Sequence, residues 1–366
     1  MSSDLNPSTG EATSPAKVLL RATRSEATGA AMGIAGLTVF ERSAKQLASQ
    51  GIAIVVASDG SCALPAALGP DAEIRATASA EELNRLRAEM QGAPEVGADE
   101  VRPVSRDFAN FIRVTDEQSR RRAEDAVFAQ LLRGDLGIVA RHLNKPISFR
   151  ITRYLLCRLP FSPNQVSVAA ALVGLCGAAL VAVGQHWLMV AGFFLAHAQS
   201  VLDGCDGELA RVRFQQSKIG EWLDTFIDEL LNVALFASTG IGIWRQSGST
   251  LALTVGLAAA GIHVFYDVVA LTELVHQGQG GELMRIRWWL TGEVDMKSRA
   301  QRKRGDLLFI AHGLTRRDFF VFAFLIYAVA GVPAFALAHA SIIAVGQLAL
   351  SCGQLVWRLA GRRRSR

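Results

Sequence analysis

The chain has few cysteines and lacks the paired cysteine spacings of zinc sites and disulfide frameworks. Its 366 residues include five cysteines, scattered singly at Cys62, Cys157, Cys176, Cys205 and Cys352. Three lie among apolar neighbours, where a thiol behaves as a small hydrophobic group. The sequence therefore predicts neither a zinc site nor a disulfide framework.

The first residues lack the apolar core of an export signal. Residues 1–16 contain Ser, Thr, Pro and Gly instead, which is typical of a disordered leader. We therefore expect later segments to direct membrane insertion.

The positive charge lacks the distribution expected of a nucleic-acid-binding protein. The net charge is +5, but the arginines cluster beside apolar runs and between Arg358 and Arg366. This placement favours contact with anionic lipid headgroups and predicts no nucleic-acid partner. The same charges can also act only in membrane topology, and the two interpretations are compatible.

Apolar stretches dominate the sequence from Val166 onward. Six are long enough, at about 17 to 25 residues, to cross a bilayer. These predicted spans are 166–184, 186–206, 219–242, 250–273, 318–337 and 340–360. The predicted fold is an α-helical integral membrane protein with six transmembrane helices, an interfacial helix before them and a smaller soluble N-terminal α/β domain.

The predicted soluble domain covers residues 17–135, followed by a juxtamembrane segment over 136–162 and the six-span domain over 163–366. KVLLRA and GIAIVVASDG read as strands, and LTVFERSAKQLASQ between them has helical spacing. This order predicts a parallel sheet. Helices are also expected over 80–91 and 115–133.

The juxtamembrane segment KPISFRITRYLLCRLPF alternates apolar residues with arginines, as an interfacial helix does. Asn164 is predicted to cap the first span. The cation-rich loop over 274–317, with Trp288 and Trp289, is a candidate second interfacial segment.

Lysine and arginine are concentrated in alternate connections, before the first span and after the second and fourth. By the positive-inside rule, both termini face the cytoplasm. The protein is thus expected in the inner or plasma membrane, as a multi-pass protein with its polar cluster on the cytoplasmic side.

Four aspartates stand out in this apolar half, within the pattern D-x2-D-G-x2-A-R-x8-G-x3-D-x3-D. A carboxylate near the bilayer centre costs about 2.5 to 3.5 kcal/mol, so four need a shared positive charge. Spacings of three and four place each pair on one helix face, and hard divalent cations prefer oxygen ligands. The pattern is filled by Asp203, Asp206, Gly207, Ala210, Arg211, Gly220, Asp224 and Asp228.

The glycines and the arginine of this pattern indicate which molecule binds at the predicted metal site. Gly207 and Gly220 would let a bulky group come close, and Arg211 offers a bidentate guanidinium. Together with the carboxylates, they favour a metal-bound pyrophosphate.

The eight-position pattern resembles the signature of the CDP-alcohol phosphatidyltransferase family, and SPNQVS (162–167) is similar to the family's entry into its first span. The resemblance implies transfer of a phosphatidyl or related phosphoryl group from a CDP-linked donor to a small alcohol, with release of CMP. It also implies a homodimer and two Mg²⁺ or Mn²⁺ ions.

The resemblance further implies roles for individual residues. Asp203, Asp206, Asp224 and Asp228 would hold the metals, and Asp228 would also take the proton of the attacking hydroxyl. The donor would be bound by Asp206, Gly207, Ala210, Arg211 and Gly220.

The acceptor site is less distinct. Arg316 and Arg317 at the start of the fifth span suit a phosphorylated polyol such as inositol phosphate or glycerol phosphate, although they can equally act in topology. CDP-diacylglycerol is the preferred donor, because an interfacial helix suits a two-tailed substrate. The alternatives are a CDP-inositol-dependent inositol phosphodiester synthase, a non-catalytic membrane scaffold and an ion path.

Other polar residues of this half are not predicted to bind a metal or a substrate. We expect His197 to be a packed polar residue, and Glu208, Glu221 and Glu229 to be solvated or to support the aspartates, because they lie off the aspartate faces. Asp267 has no assignment.

The order of the two domains resembles that of bifunctional inositol-phosphate cytidylyltransferase and di-myo-inositol-phosphate-phosphate synthase proteins. Nucleotidyltransferases of that type carry a glycine-rich phosphate loop after the first strand. Here RATRSEATGAAMGIAGLTVFER follows, without a G-x-G and basic residue at the expected place. We therefore predict a degenerate, catalytically silent domain with a docking, dimerising or regulatory role, and an active cytidylyltransferase is the alternative.

Overall fold

The computed structural model describes residues 17–22, 27–35, 37–49, 53–58, 61–62, 73–76, 80–90, 93–101, 112–131, 137–277, 283, 286, 288–289 and 313–364. The chain divides into two compact units, Met1–Arg133 with Val212–Phe214, and Gly134–Arg211 with Gln215–Arg366. The predicted leader and most of the predicted second interfacial segment lie outside the described residues.

The first unit alternates short strands and helices. Its elements are β1 (Lys17–Ala22), α1 (Ala27–Ala31), β2 (Gly33–Ile34), β3 (Leu37–Thr38), α2 (Val39–Ser49), β4 (Ala53–Ser58), β5 (Glu73–Ala76), α3 (Ala80–Glu89), β6 (Glu95–Gly97), β7 (Glu100–Val101), β8 (Ile112–Arg113) and α4 (Glu117–Leu131).

A four-stranded parallel sheet with strand order β5-β4-β1-β6 organises this unit. Val18 and Leu20 of β1 pack with Phe40 of α2, whereas Leu19 packs with Leu86 of α3 on the opposite face. Side chains alternate across a strand, so successive apolar residues serve both faces. The predicted strands, helices and parallel sheet are confirmed here.

The second unit is helical in its described parts. A π-helical turn (Ala140–Asn144) leads into α5 (Lys145–Tyr154) and a short 3-10 helix (Leu156–Arg158). The long helices then follow as α6 (Pro163–Val183), α7 (His186–Val212), α8 (Lys218–Ser247), α9 (Thr250–His276), α10 (Arg317–Val329) and α11 (Ala334–Arg364).

Five of these helices, α6 to α9 and α11, are long and apolar enough to cross a membrane. The first four predicted spans coincide with α6 to α9. The predicted fifth span, 318–337, does not form one helix: α10 has 13 residues and α11 begins at Ala334. The reason is local, because Gly331 adopts φ +76° and Pro333 follows, and both residue types interrupt a helix.

The start of α6 is capped by Ser162, not by Asn164 as predicted. The Ser162 hydroxyl accepts a hydrogen bond from the Gln165 backbone N–H, and the Gln165 side chain accepts one from the Ser162 backbone N–H. Pro163 then occupies the first helical position, where its missing N–H costs nothing.

Two glycine pairs bring the long helices into close contact. A Cβ on Gly177 of α6 would lie 2.7 Å from the Gly192 carbonyl oxygen of α7, and one on Gly240 of α8 would lie 2.7 Å from the Gly256 Cα of α9. Small residues allow such backbone approach between apolar helices. The packing of α6 to α9 positions the polar residues described below.

Candidate active site

Three of the four motif aspartates converge at the contact between α7 and α8. Carboxylate oxygens of Asp203, Asp206 and Asp224 all lie within 4.8 Å of one another. Asp203 and Asp206 are three residues apart on α7, so the helix period places them on one face. We call these three residues the aspartate cluster.

Asp206 is the most enclosed member of the cluster, with 5% of its surface exposed. The Ser167 hydroxyl of α6 donates to its Oδ2, and the Gly207 backbone N–H donates to its Oδ1. The third helix thus fixes the direction of this carboxylate.

The aspartate cluster has no ion-pair partner within 4 Å among the described residues. Three carboxylates without an ion-pair partner in an apolar helical unit are unfavourable, and a bound cation would compensate their charge. An ion about 2.0 to 2.6 Å from each oxygen can bridge oxygens at this separation. The donor set therefore fits a hard divalent metal.

Beside the cluster lies a cavity of about 350 Å³. It is lined by both polar and small residues, among them Asp206, Gly207, Ala210, Arg211, Gly220 and Asp224. The Arg211 guanidinium lies close to Gly207, since a Cβ built there would be 3.5 Å from Nη2. A cation, two glycines and two of the motif aspartates thus line the same cavity.

Asp228, the fourth motif aspartate, is placed differently, because it forms an ion pair with Arg317 of α10. The same guanidinium donates through Nη2 to Gln199 Oε1 at 2.7 Å, and Gln199 Nε2 lies 3.5 Å from Asp203 Oδ1. Arg317 thus connects Asp228 to the aspartate cluster through Gln199.

The two predicted acceptor arginines have separate surroundings. Arg317 lies in the site, whereas Arg316 Nε donates to Asp318 Oδ1 at 3.3 Å. Asp318 also accepts from the Ala140 backbone N–H at 2.9 Å. Arg316 therefore belongs to a contact with the π-helical turn.

Glu208 was expected either to be solvated or to support the aspartates, and the structure shows that it is buried. Its carboxylate is fully inaccessible and accepts from Lys145 Nζ at 2.7 Å, Ser148 Oγ at 2.6 Å and Thr152 Oγ1 at 2.8 Å. The donors are spaced three and four residues apart on α5. That polar stripe in an otherwise amphipathic segment is the signal that could have predicted the contact.

A second polar cluster lies between α8 and α9, and the sequence pattern did not predict that its members meet. Ligand atoms of Glu229, His263 and Asp267 lie within 4.8 Å of one another. His263 and Asp267 share a helix face four residues apart, so a polar pair inside an apolar span was the available signal. His197, in contrast, packs against Phe322 as expected of a packed polar residue.

Part of the chain is similar in sequence to known proteins. Residues 161–290 match the family model of the CDP-alcohol phosphatidyltransferases. Proteins named bifunctional IPC transferase and DIPP synthase are similar: the Aquifex aeolicus protein is 37% identical over 102 residues. The Rubrobacter xylanophilus protein is 37% identical over 146 residues.

These similarities cover limited parts of each protein. The matched stretches make up 28% of this chain and 22% of the Aquifex protein, and 40% of this chain and 32% of the Rubrobacter protein. The chain thus matches at most about a third of the length of these relatives.

Proposed function

We propose that this chain, whose C-terminal part carries a CDP-alcohol phosphatidyltransferase domain, transfers a substituted phosphoryl group from a CDP-linked donor to a small alcohol and releases CMP. The observation that carries the proposal is the convergence of Asp203, Asp206 and Asp224 beside a cavity containing Arg211. A scaffold has no need of such uncompensated carboxylates, and an ion path has no need of the glycines and arginine beside them.

Each part of the site has a role in this reaction. Arg211 makes no ion pair among the described residues, so its guanidinium is available for the donor pyrophosphate. One or two Mg²⁺ or Mn²⁺ ions, held by the aspartate cluster and Asp228, would neutralise charge on the phosphoryl oxygens. Asp228 would take the proton of the acceptor hydroxyl, with Arg317 holding its carboxylate in place.

For the acceptor, we propose a phosphorylated polyol such as inositol phosphate or glycerol phosphate. Arg317 Nε is buried and has no hydrogen-bond partner among the described residues. A phosphate oxygen would satisfy it. Arg316 is the second candidate for this contact, although Asp318 already accepts from its Nε.

For the donor, we propose CDP-diacylglycerol first. The face of α5 toward the protein is polar, with Ser148 and Thr152 buried, whereas Ile147 is exposed. An amphipathic helix with apolar residues outward suits the membrane interface, where a two-tailed donor would lie.

CDP-inositol is the second candidate donor. The relatives' name DIPP synthase favours it, since such an activity would join two inositol units through a phosphodiester. The same site would serve, because both donors present a CDP pyrophosphate.

The proposal also includes the membrane, the oligomeric state and the orientation of the chain. We place the chain in the inner or plasma membrane as a homodimer of six-span chains, in which the 13-residue α10 is a short fifth span. Both termini and the aspartate cluster would then face the cytoplasm. In this arrangement the soluble N-terminal domain has no catalytic role.

The test is CMP release by the purified full-length protein with Mg²⁺ or Mn²⁺. CDP-diacylglycerol and CDP-inositol are each combined with inositol 1-phosphate, glycerol 3-phosphate, free inositol and serine. Acceptor-dependent release that is lost in Asp224→Asn would support the proposal and identify the donor. Absence of CDP binding would instead favour a non-catalytic scaffold.

A further inference from the structure

The second polar cluster, Glu229 with His263 and Asp267, has no role in the proposed transfer reaction. Glu229 comes from α8, and the other two residues come from one face of α9. Their ligand atoms lie within 4.8 Å of one another. Unlike the aspartate cluster, this group contains an imidazole nitrogen.

Hydrogen bonds orient the His263 ring toward the two carboxylates. Its Nδ1 lies 2.8 Å from Gln347 Oε1 of α11, so the tautomer with its proton on Nδ1 donates to that oxygen and leaves the Nε2 lone pair for a ligand. Its Nε2 lies 2.8 Å from Glu229 Oε2 and 3.8 Å from Asp267 Oδ1. In metal sites, a histidine ligand is held in this way by a partner on its other nitrogen.

The carboxylates are also held in position and only partly satisfied. Asn232 Nδ2 donates to Glu229 Oε2 at 3.0 Å. Asp267 Oδ1 is buried and has no hydrogen-bond partner among the described residues. A cation in contact with this oxygen would remove an otherwise unfavourable buried group.

The walls around the imidazole are aromatic. Phe236 contacts the His263 ring edge-on, with 5.3 Å between the ring centroids. Tyr266 stacks on the His263 ring, with 6.1 Å between the centroids. Trp288 stacks in turn on Tyr266, with 5.5 Å between the ring centroids. Apolar walls limit access of water and strengthen the attraction between a cation and its ligands.

We infer that Glu229, His263 and Asp267 bind a divalent metal ion that accepts a nitrogen ligand, for which Zn²⁺ is the suitable ion. Imidazole together with carboxylate suits Zn²⁺, whereas the oxygen-only aspartate cluster suits Mg²⁺ or Mn²⁺. Three protein ligands leave a fourth position of a tetrahedral ion for water or another small ligand.

The inference is tested on the full-length protein in detergent, with Asp203→Asn and Asp224→Asn introduced to disable the aspartate cluster. The protein is stripped with chelator, equilibrated with Zn²⁺ in excess Mg²⁺, and its metal content is measured. We expect about one Zn²⁺ per chain. Failure to bind Zn²⁺ would overturn the inference and leave a histidine–carboxylate ion pair only.

Matched variants locate the bound ion. His263→Gln in this background should lose the Zn²⁺, whereas His197→Gln, which removes a buried histidine elsewhere on α7, should keep it. Equal binding by the two variants would overturn the assignment. Gln347→Leu keeps all three ligands and should weaken Zn²⁺ binding by about 10- to 100-fold.

Co²⁺ provides a readout in the unaltered chain, so the test does not depend on whether the variants fold. Bound Co²⁺ should give visible d–d absorption bands that Zn²⁺ displaces and Mg²⁺ does not. Absence of such bands, or equal displacement by Mg²⁺, would contradict a site with a nitrogen ligand.

Discussion

Several carboxylates of the first unit are paired with arginines, whereas the aspartate cluster of the second unit is not. In the first unit, Glu95 is paired with Arg21 and Arg87, and the buried Asp99 and Glu100 both lie beside Arg113, half of whose side chain is exposed. In the second unit, the aspartate cluster has no described ion-pair partner. Paired carboxylates belong to a stable fold, whereas converging unpaired carboxylates in apolar helices indicate a ligand site.

The largest effect is expected from Asp228→Asn in the second unit. The amide keeps the size of the side chain but cannot accept the acceptor's proton, so turnover should fall by about 10²- to 10⁴-fold. CMP release measures turnover, and binding of CDP should be largely retained. Unchanged turnover would remove Asp228 from the role of base.

Arg211→Ala should act on donor affinity. Loss of a charged hydrogen bond to pyrophosphate, worth about 1.5 to 3 kcal/mol, corresponds to a KM or Kd raised by roughly 10- to 100-fold. Binding of CDP to the variant measures this directly. An affinity equal to that of the native chain would return Arg211 to a role in topology.

Glu208→Ala tests a carboxylate of the second unit that is fully paired. Its removal leaves Lys145 without its partner and should lower the free energy of unfolding by about 3 to 5 kcal/mol. Unfolding in detergent measures the loss. Glu221→Ala is the matched control, because that side chain is exposed and its removal should have little effect on stability.

The smallest effect is expected from Glu95→Gln in the first unit. Arg87 donates to Glu95 and holds the pKa of that carboxyl below its ordinary value. The ion pair therefore stabilises the fold above the usual glutamate pKa of about 4.3, and this contribution is lost as the pH falls through the lower folded pKa.

Two measurements follow from the Glu95 pair. The stability difference between the native chain and Glu95→Gln should be small at neutral pH and should vanish in acid. Transferase activity should be unchanged, because the first unit is proposed to have no catalytic role. Loss of activity in the folded variant would contradict that proposal and weaken the contrast between the units.

Local pattern accounts for most of the elements that the sequence predicted. The KVLLRA strand coincides with β1, and the first four apolar stretches coincide with α6 to α9. The predicted start of the first span and the predicted end of the fifth were wrong because of a few residues. Pro163 suits the first position of α6, where an N–H is not needed, and this places the cap at Ser162. The Gly331 and Pro333 break divides the last apolar region earlier than hydropathy indicated.

The sequence by itself determined which residues share a helix face, because that depends only on the helix period. It therefore brought the members of each aspartate pair together. Only the tertiary structure decided which faces meet: Glu208 with Lys145, His263 with Glu229, and Asp228 with Arg317, pairs separated by 63, 34 and 89 positions. Helix periodicity carries no information on partners at such separations, since close packing of whole helices selects them.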